Sequence, residues 1–113
     1  MSKFDISNNN ILSEGLIAIA EVPNTTAITD LNIAGNNIAY NSEWDKSEDG
    51  INKLATVLED NGALSKMTFT GNGNWGKDGD PVTVETGMTE ADFSNKKLGP
   101  AGAIILAAWI EHK

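Results

Sequence analysis

The chain has 113 residues, of which 40% are hydrophobic and 21% are charged, and it contains no cysteine. This composition indicates one globular domain, residues 1–113, and it excludes disulfides, thiolate metal sites and a cysteine nucleophile. The formal net charge is −8 and the eight basic residues are scattered, so a nucleic acid is not an expected partner.

Four stretches of the chain align in one register, with starts near residues 1, 28, 64 and 88. Apolar residues alternate in each stretch, which predicts a short strand with one inward face. Self-similarity at this spacing is typical of units that bury their apolar faces only by stacking. The aligned positions are Met1, Phe4, Ile6, Asn9 and Ile11; Ile28, Leu31, Ile33, Asn36 and Ile38; Leu64, Met67, Phe69 and Asn72; and Met88, Ala91, Phe93, Lys96 and Leu98.

Helical segments follow the first, second and fourth of these strands. They begin at Gly15, Gly50 and Gly102, and each has an isoleucine or leucine four residues later, followed by an alanine. The second unit carries a polar insertion, 39–49, which we expect to form a surface loop. The third unit lacks a helix, and glycine and proline in 75–87 predict an extended connection instead.

The register L-x-x-L-x-L-x-x-N-x-L, with G-x-x-x-L-A in the helical half, resembles the ribonuclease-inhibitor-like branch of the leucine-rich repeats. The resemblance implies an α/β solenoid of about four strand-turn-helix units, with a parallel sheet on the concave face and helices on the convex face. It also implies that Asn9, Asn36 and Asn72 form a structural ladder by hydrogen-bonding the backbone of each turn. It implies no particular ligand, because one fold supports many functions.

The concave face would present mostly small polar side chains. One interpretation is a shallow acidic groove for a basic peptide, and the alternative is a solvated sheet without a ligand. The candidate partner-binding residues are Asp5, Asp30, Asn32, Thr68, Glu90 and Asp92. Three aromatic residues near one rim, Tyr40, Trp44 and Trp75, either contact a partner or cover the core beside the missing helix.

The two ends of the array show no evident polar cap in the sequence. Apolar ends and free strand edges favour self-association, for which Met1, Phe4 and Ile110 are the candidate residues. The pattern also fits a segment cut or engineered from a longer array.

The short motifs in the sequence give little support for a catalytic, cofactor-binding or metal-binding site. Gly71–Gly76 matches a dinucleotide-binding pattern, but no helix is predicted to follow it. Asp45–Asp49 resembles the first half of a calcium loop, yet Thr56 stands where a bidentate carboxylate is needed. A helix cap explains these acids better, and weak calcium binding is left open. His112 has no neighbouring catalytic or metal-binding partner in the sequence, so neither a cofactor nor a metal is expected.

These observations together predict a non-catalytic protein-interaction module whose partner is another protein or a second copy. The alternative is a structural, self-assembling unit without an external ligand. An enzyme is not expected, because no nucleophile and base pair is recognisable. The sequence shows no signal peptide and no apolar run of membrane-spanning length, so the default expectation is a cytoplasmic protein without membrane contact.

Overall fold

In the computed structural model, which describes residues 3–21, 28–60, 62–71 and 79–112, a mixed sheet is covered on one face by helices. The described strands are β1 (Lys3–Asp5), β2 (Asp30–Asn32), β3 (Lys66–Phe69) and β4 (Val82–Glu85). The described helices are α1 (Leu12–Ala20), α2 (Asp49–Asp60) and α3 (Gly99–His112).

The strands lie in the order β1-β2-β3-β4. β1 pairs with β2, and β2 with β3, in parallel. β4 pairs with β3 in the antiparallel direction, with Val84 opposite Met67 and Val82 opposite Phe69. β1 and β4 therefore occupy the two edges of the described sheet.

The antiparallel β4 overturns the predicted parallel solenoid of four units. The fourth strand comes from within the segment predicted as an extended connection, and the stretch 88–98, predicted as a strand, contains no strand residues. Val82 and Val84 are both buried and hold β4 against the core, whereas Met88 and Ala91 of the later stretch are exposed and Phe93 is only partly buried. Pairing that stretch with β4 would also bring its acidic side chains close to Glu85, which disfavours it.

The core lies between the sheet and the helices. α2 contributes Ile51, Leu54 and Leu58, whose spacing places them on one helical face, and all three are buried. α3 contributes Ala101, Ile105 and Trp109 at intervals of four residues. Burying a side chain the size of Leu or Ile contributes about 1.5–3 kcal/mol, so these stripes fix the helices to the sheet.

Asn36 joins the ends of β1 and β2. Its side chain is buried, and its Nδ2 donates to the carbonyl oxygens of Ile6, Ile33 and Ala34 at 2.9–3.3 Å. Its Oδ1 accepts a hydrogen bond from the Asn9 N–H at 2.8 Å. Asn9 in turn donates to the carbonyl oxygens of Ile6 and Ser7. Asn72, the third residue of the predicted ladder, lies outside the described residues.

One turn conformation recurs three times. The eighth and tenth residues of the first, second and fourth predicted units all have φ between 51° and 73°. These residues are Asn8 and Asn10, Gly35 and Asn37, and Asn95 and Lys97. The stretch that begins at Met88 therefore has the same turn conformation as the first two units but contains no strand.

None of the helices in the described part of the chain is long and apolar enough to cross a membrane.

Candidate functional site

The face of the sheet opposite the helices carries two cross-strand rows of polar side chains. The strand registers place Lys3, Asp30, Lys66 and Glu85 side by side in the first row. Charge alternates in sign along this row. Its last two members form an exposed ion pair, with Lys66 Nζ 3.8 Å from Glu85 Oε1.

The second row consists of Asp5, Asn32, Thr68 and Thr83. Thr68 and Thr83 share a hydrogen bond of 2.9 Å between their hydroxyls. Asp5 Oδ1 accepts from the backbone N–H of Ser7, and Asn32 Oδ1 accepts from that of Ala34. Asp5 and Asn32 thus serve local turns at the strand ends.

Glu90 and Asp92, the remaining predicted groove residues, lie in the segment after β4 rather than on a strand. Asp92 Oδ1 accepts from the Ser94 N–H at 3.0 Å, which repeats the turn at Asp5. The structure therefore does not gather the predicted acids in one groove. Lys66 of β3 lies between Asp30 of β2 and the acids at and beyond β4.

These turn contacts affect the titration of the two aspartates. The backbone N–H and the hydroxyl of Ser7 lower the pKa of Asp5 below its ordinary value. The hydroxyl and the backbone N–H of Ser94 do the same to the pKa of Asp92. A carboxylate that accepts several hydrogen bonds is favoured in its charged form, so both residues stabilise their turns as anions.

A groove of about 280 Å³ opens between β4, the segment 87–93 and the last turns of α3. We call it the β4–α3 groove. Val84 forms one wall, and Leu106, Trp109 and Ile110 of α3 form the floor. The remaining lining residues are Glu85, Gly87, Met88, Thr89, Glu90, Ala91 and Phe93.

The β4–α3 groove combines an apolar interior with an acidic border. Ile110 is 71% exposed and Met88 is 44% exposed, and both side chains line the groove. The described lining includes two carboxylates, Glu85 and Glu90, and no basic residue. A shallow depression beside the groove, lined by Glu90, Ala91 and Asp92, extends the acidic border.

Met88 also contacts the free edge of β4. Its Sδ accepts a hydrogen bond from the Glu85 backbone N–H at 3.1 Å. A thioether sulfur is a weak acceptor compared with a carbonyl oxygen. The outward-facing N–H of the edge strand is therefore covered by a side chain of this chain, but only weakly satisfied.

The insertion 39–49 forms a tight loop that presents Trp44 at its tip. Tyr40 bridges to Lys46, and Asn41 Oδ1 accepts from the backbone N–H groups of Glu43 and Asp45. Trp44 is 53% exposed with φ at 61°, a backbone conformation uncommon for a bulky residue. Its ring lies 6.3 Å from that of Tyr40, which is buried in the core.

The loop is also attached to α1. The Ser42 N–H donates to Glu14 Oε2 at 2.9 Å, and this contact lowers the pKa of Glu14. Trp75, the third predicted rim aromatic, lies outside the described residues. Tyr40 and Trp44 are absent from the lining of the β4–α3 groove, so these two rim aromatics and the groove are separate features.

The predicted association residues lie at different parts of the molecule. Phe4 is half-buried on the edge strand β1, whereas Ile110 is exposed at the floor of the β4–α3 groove. Met1 lies outside the described residues.

Sequence reasoning did not identify the groove as a site. The repeat register places Met88 and Phe93 in a strand of the core, and Leu106 and Trp109 in the apolar helical segment that follows Gly102. The available signal was the alternation of Val82-Thr-Val-Glu85, which indicates an extra strand and therefore a different edge of the sheet.

Comparisons with protein-family models, with curated proteins and with solved structures find no match to this chain. Within the described residues, which include the acids at 45–49, no group of three or more His, Cys, Asp or Glu could hold a metal ion. The geometry of the β4–α3 groove is therefore the main basis for a functional assignment.

Proposed function

We propose that this protein is a non-catalytic binding module that holds an extended, basic segment of another protein in the β4–α3 groove. The observation that carries the proposal is the apolar floor, open to solvent, beside the carboxylates of Glu85 and Glu90. Apolar side chains of a partner would fill the floor, and its lysine or arginine side chains would lie along the border.

Two further features support a basic partner. The net charge of −8 favours the approach of a cationic chain at low ionic strength. The acidic border continues past Glu90 to Asp92, so a segment of several residues would find carboxylates along its length.

The groove side chains suit recognition better than catalysis. Glu85 is paired with Lys66 and both glutamates are exposed, so neither carboxylate is enclosed beside a partner as a general acid or base would be. Thr89, the remaining groove side chain with a reactive group, is exposed as well. We therefore assign these groups to the binding of charged and polar atoms of a partner.

Titration calorimetry with synthetic peptides tests the proposal. The peptides alternate lysine with valine, isoleucine or phenylalanine, and in the control set glutamate replaces lysine. We expect binding of lysine peptides only, and a loss of at least tenfold in Ile110→Lys. Ala103→Lys is the matched control, because Ala103 is exposed on the same helix and does not line the groove. If no lysine peptide binds, or if both variants lose the same affinity, the proposal is wrong.

Self-association through β1 is the second candidate function. β1 has one neighbouring strand in the described sheet, and Phe4 is only half-buried there. An open edge of this kind recruits another strand. We rank it second because two copies would each carry a net charge of −8.

A further inference from the structure

We infer that the partner segment binds by adding a fifth strand to the outer edge of β4, with a basic side chain beside Glu85 and an apolar side chain over Leu106 and Ile110. This inference rests on the proposed function and specifies its binding mode. It is carried by the strand register, the contact of Met88, and the alternation of charge across the sheet.

The register of β4 leaves backbone groups directed away from the sheet. Thr86 donates its backbone N–H to the Ser65 carbonyl. In this antiparallel register Thr86, Val84 and Val82 therefore direct their backbone N–H and C=O groups towards β3. The alternate residues, Thr83 and Glu85, direct their N–H and C=O groups to the opposite side. An incoming strand meets those groups first.

Met88 holds the position that an incoming carbonyl oxygen would take. Its sulfur accepts the Glu85 N–H, and its side chain is 44% exposed at the border of the groove. Replacement of a thioether by a carbonyl gives this N–H a stronger acceptor. Met88 is unbranched and flexible, so it can move aside without disturbing the buried residues.

The row of charges across the sheet predicts which side chain comes next. Its order is Lys3, Asp30, Lys66, Glu85, so neighbouring strands present opposite signs at every step. Opposite charges directly across neighbouring strands are favourable and like charges are not. A fifth strand therefore places a lysine or arginine beside Glu85.

The inward side chains of the same strand point to the groove. β4 alternates buried Val82 and Val84 with exposed Thr83 and Glu85. A strand added to β4 continues this alternation, so the residue next to its basic side chain projects over the floor formed by Leu106 and Ile110. The ligand is therefore an extended segment in which basic and apolar residues alternate.

Charge also argues against two other occupants of the edge. The chain's own segment 89–92 carries Glu90 and Asp92, which would come close to Glu85 if it paired with β4. A second copy that presented β4 would bring another glutamate to the same edge. A basic segment of a different protein meets neither form of repulsion.

Backbone N-methylation of a peptide tests strand addition directly. The probe is a peptide of about seven residues in which lysine and valine alternate, prepared with either the lysine or the valine amides methylated. Because alternate amides of an added strand face β4, we expect one methylated set to lose binding at least tenfold and the other to stay within about twofold. The methylated set that loses binding shows whether the added strand runs parallel or antiparallel to β4.

Charge reversal at Glu85 is the second readout. Glu85→Lys should lose affinity for the lysine peptide and gain affinity for its glutamate counterpart, while Glu59→Lys on α2 should change neither by more than about twofold. Equal sensitivity of the two methylated sets, or no exchange of preference, would overturn strand addition. If binding is then still lost in Ile110→Lys, the proposed function stands without this binding mode. If the unmethylated peptide does not bind at all, both are wrong.

Discussion

Asn36 is the side chain on which the first two strand ends depend. It is fully buried, and its amide satisfies the carbonyl oxygens of Ile6, Ile33 and Ala34 together with the Asn9 N–H. Leaving such buried groups without partners costs about 1–3 kcal/mol for each group.

We therefore expect Asn36→Ala to lower the free energy of unfolding by about 2–4 kcal/mol, measured by urea denaturation. Asn9→Ala is the comparison, since Asn9 is exposed and its side chain donates to the carbonyl oxygens of Ile6 and Ser7 in its own turn. It should cost about 1 kcal/mol. Equal losses in the two variants would show that Asn36 does not join the strands.

The turns at Asp5 and Asp92 make a matched pair for titration. Ser94→Ala should raise the pKa of Asp92 towards its ordinary value and leave that of Asp5 unchanged, and Ser7→Ala should do the reverse. Carboxyl NMR titration measures both values. Because alanine keeps the backbone N–H, the rise should be partial, and no rise in either variant would remove the serine hydroxyls as a cause of the lowered pKa.

The same contacts set a direction for stability against pH. The folded pKa of each aspartate lies below its unfolded value. The contribution of these aspartates to folding stability is thus complete above the ordinary aspartate pKa of about 4. It is lost as the pH falls through their lowered pKa in the folded protein.

At the scale of elements, the beginnings of α1 and α2 are held close together by Ser13. Ser13 is buried, and its Oγ accepts the Gly50 N–H at 2.7 Å. A Cβ added at Gly50 would lie 2.7 Å from the Ser13 carbonyl oxygen, which is backbone and cannot easily move.

Gly50→Ala should therefore lower the free energy of unfolding by about 1–3 kcal/mol, because the two helices must separate. Gly62→Ala is the control, since nothing lies within 4 Å of its added Cβ. We expect the control to stay within about 0.5 kcal/mol of the wild type in urea denaturation. Two neutral variants would mean that the helix contact is looser than the structure shows.

The sequence alone predicted some of the helices and strands but not all of the strand pairing. The helical periodicity located all three described helices, because one buried face repeats along each of them. The alternation in Val82–Glu85 indicated an extended segment, but its partner and direction depend on contacts with β3 that are distant in sequence. The repeat register also predicted a strand after Met88, where only the turn persists.

The candidate site was less predictable for the same reason. The groove forms from β4, the segment after it and the end of α3, which the repeat register treated as separate parts of one regular array. The predicted groove residues Asp5, Asn32 and Asp92 recur in register because each accepts a backbone hydrogen bond in its turn. Local turn chemistry and a binding surface give similar polar patterns, so the pattern alone did not distinguish them.

At the scale of the whole molecule, net charge governs self-association. Two copies of a chain with a charge of −8 repel each other at low salt, and screening shortens that repulsion to about 3 Å at 1 M salt. We therefore expect light scattering to show a monomer at low salt and association through β1 only at high salt and high protein concentration.

Phe4→Asp should abolish this association and Ile110→Lys should preserve it, with circular dichroism confirming that both variants are folded. A monomer under every condition would rule out the second candidate function. Association lost in Ile110→Lys and kept in Phe4→Asp would move the self-contact to the β4–α3 groove.

The most direct test of the central claim is an NMR titration of the wild-type protein with the alternating lysine and valine peptide. We predict that the largest backbone amide shifts fall in residues 83–91 and 106–110, which surround the β4–α3 groove. Shifts confined to β1 or to the loop around Trp44 would contradict the claim, and so would the absence of any shift at saturating peptide.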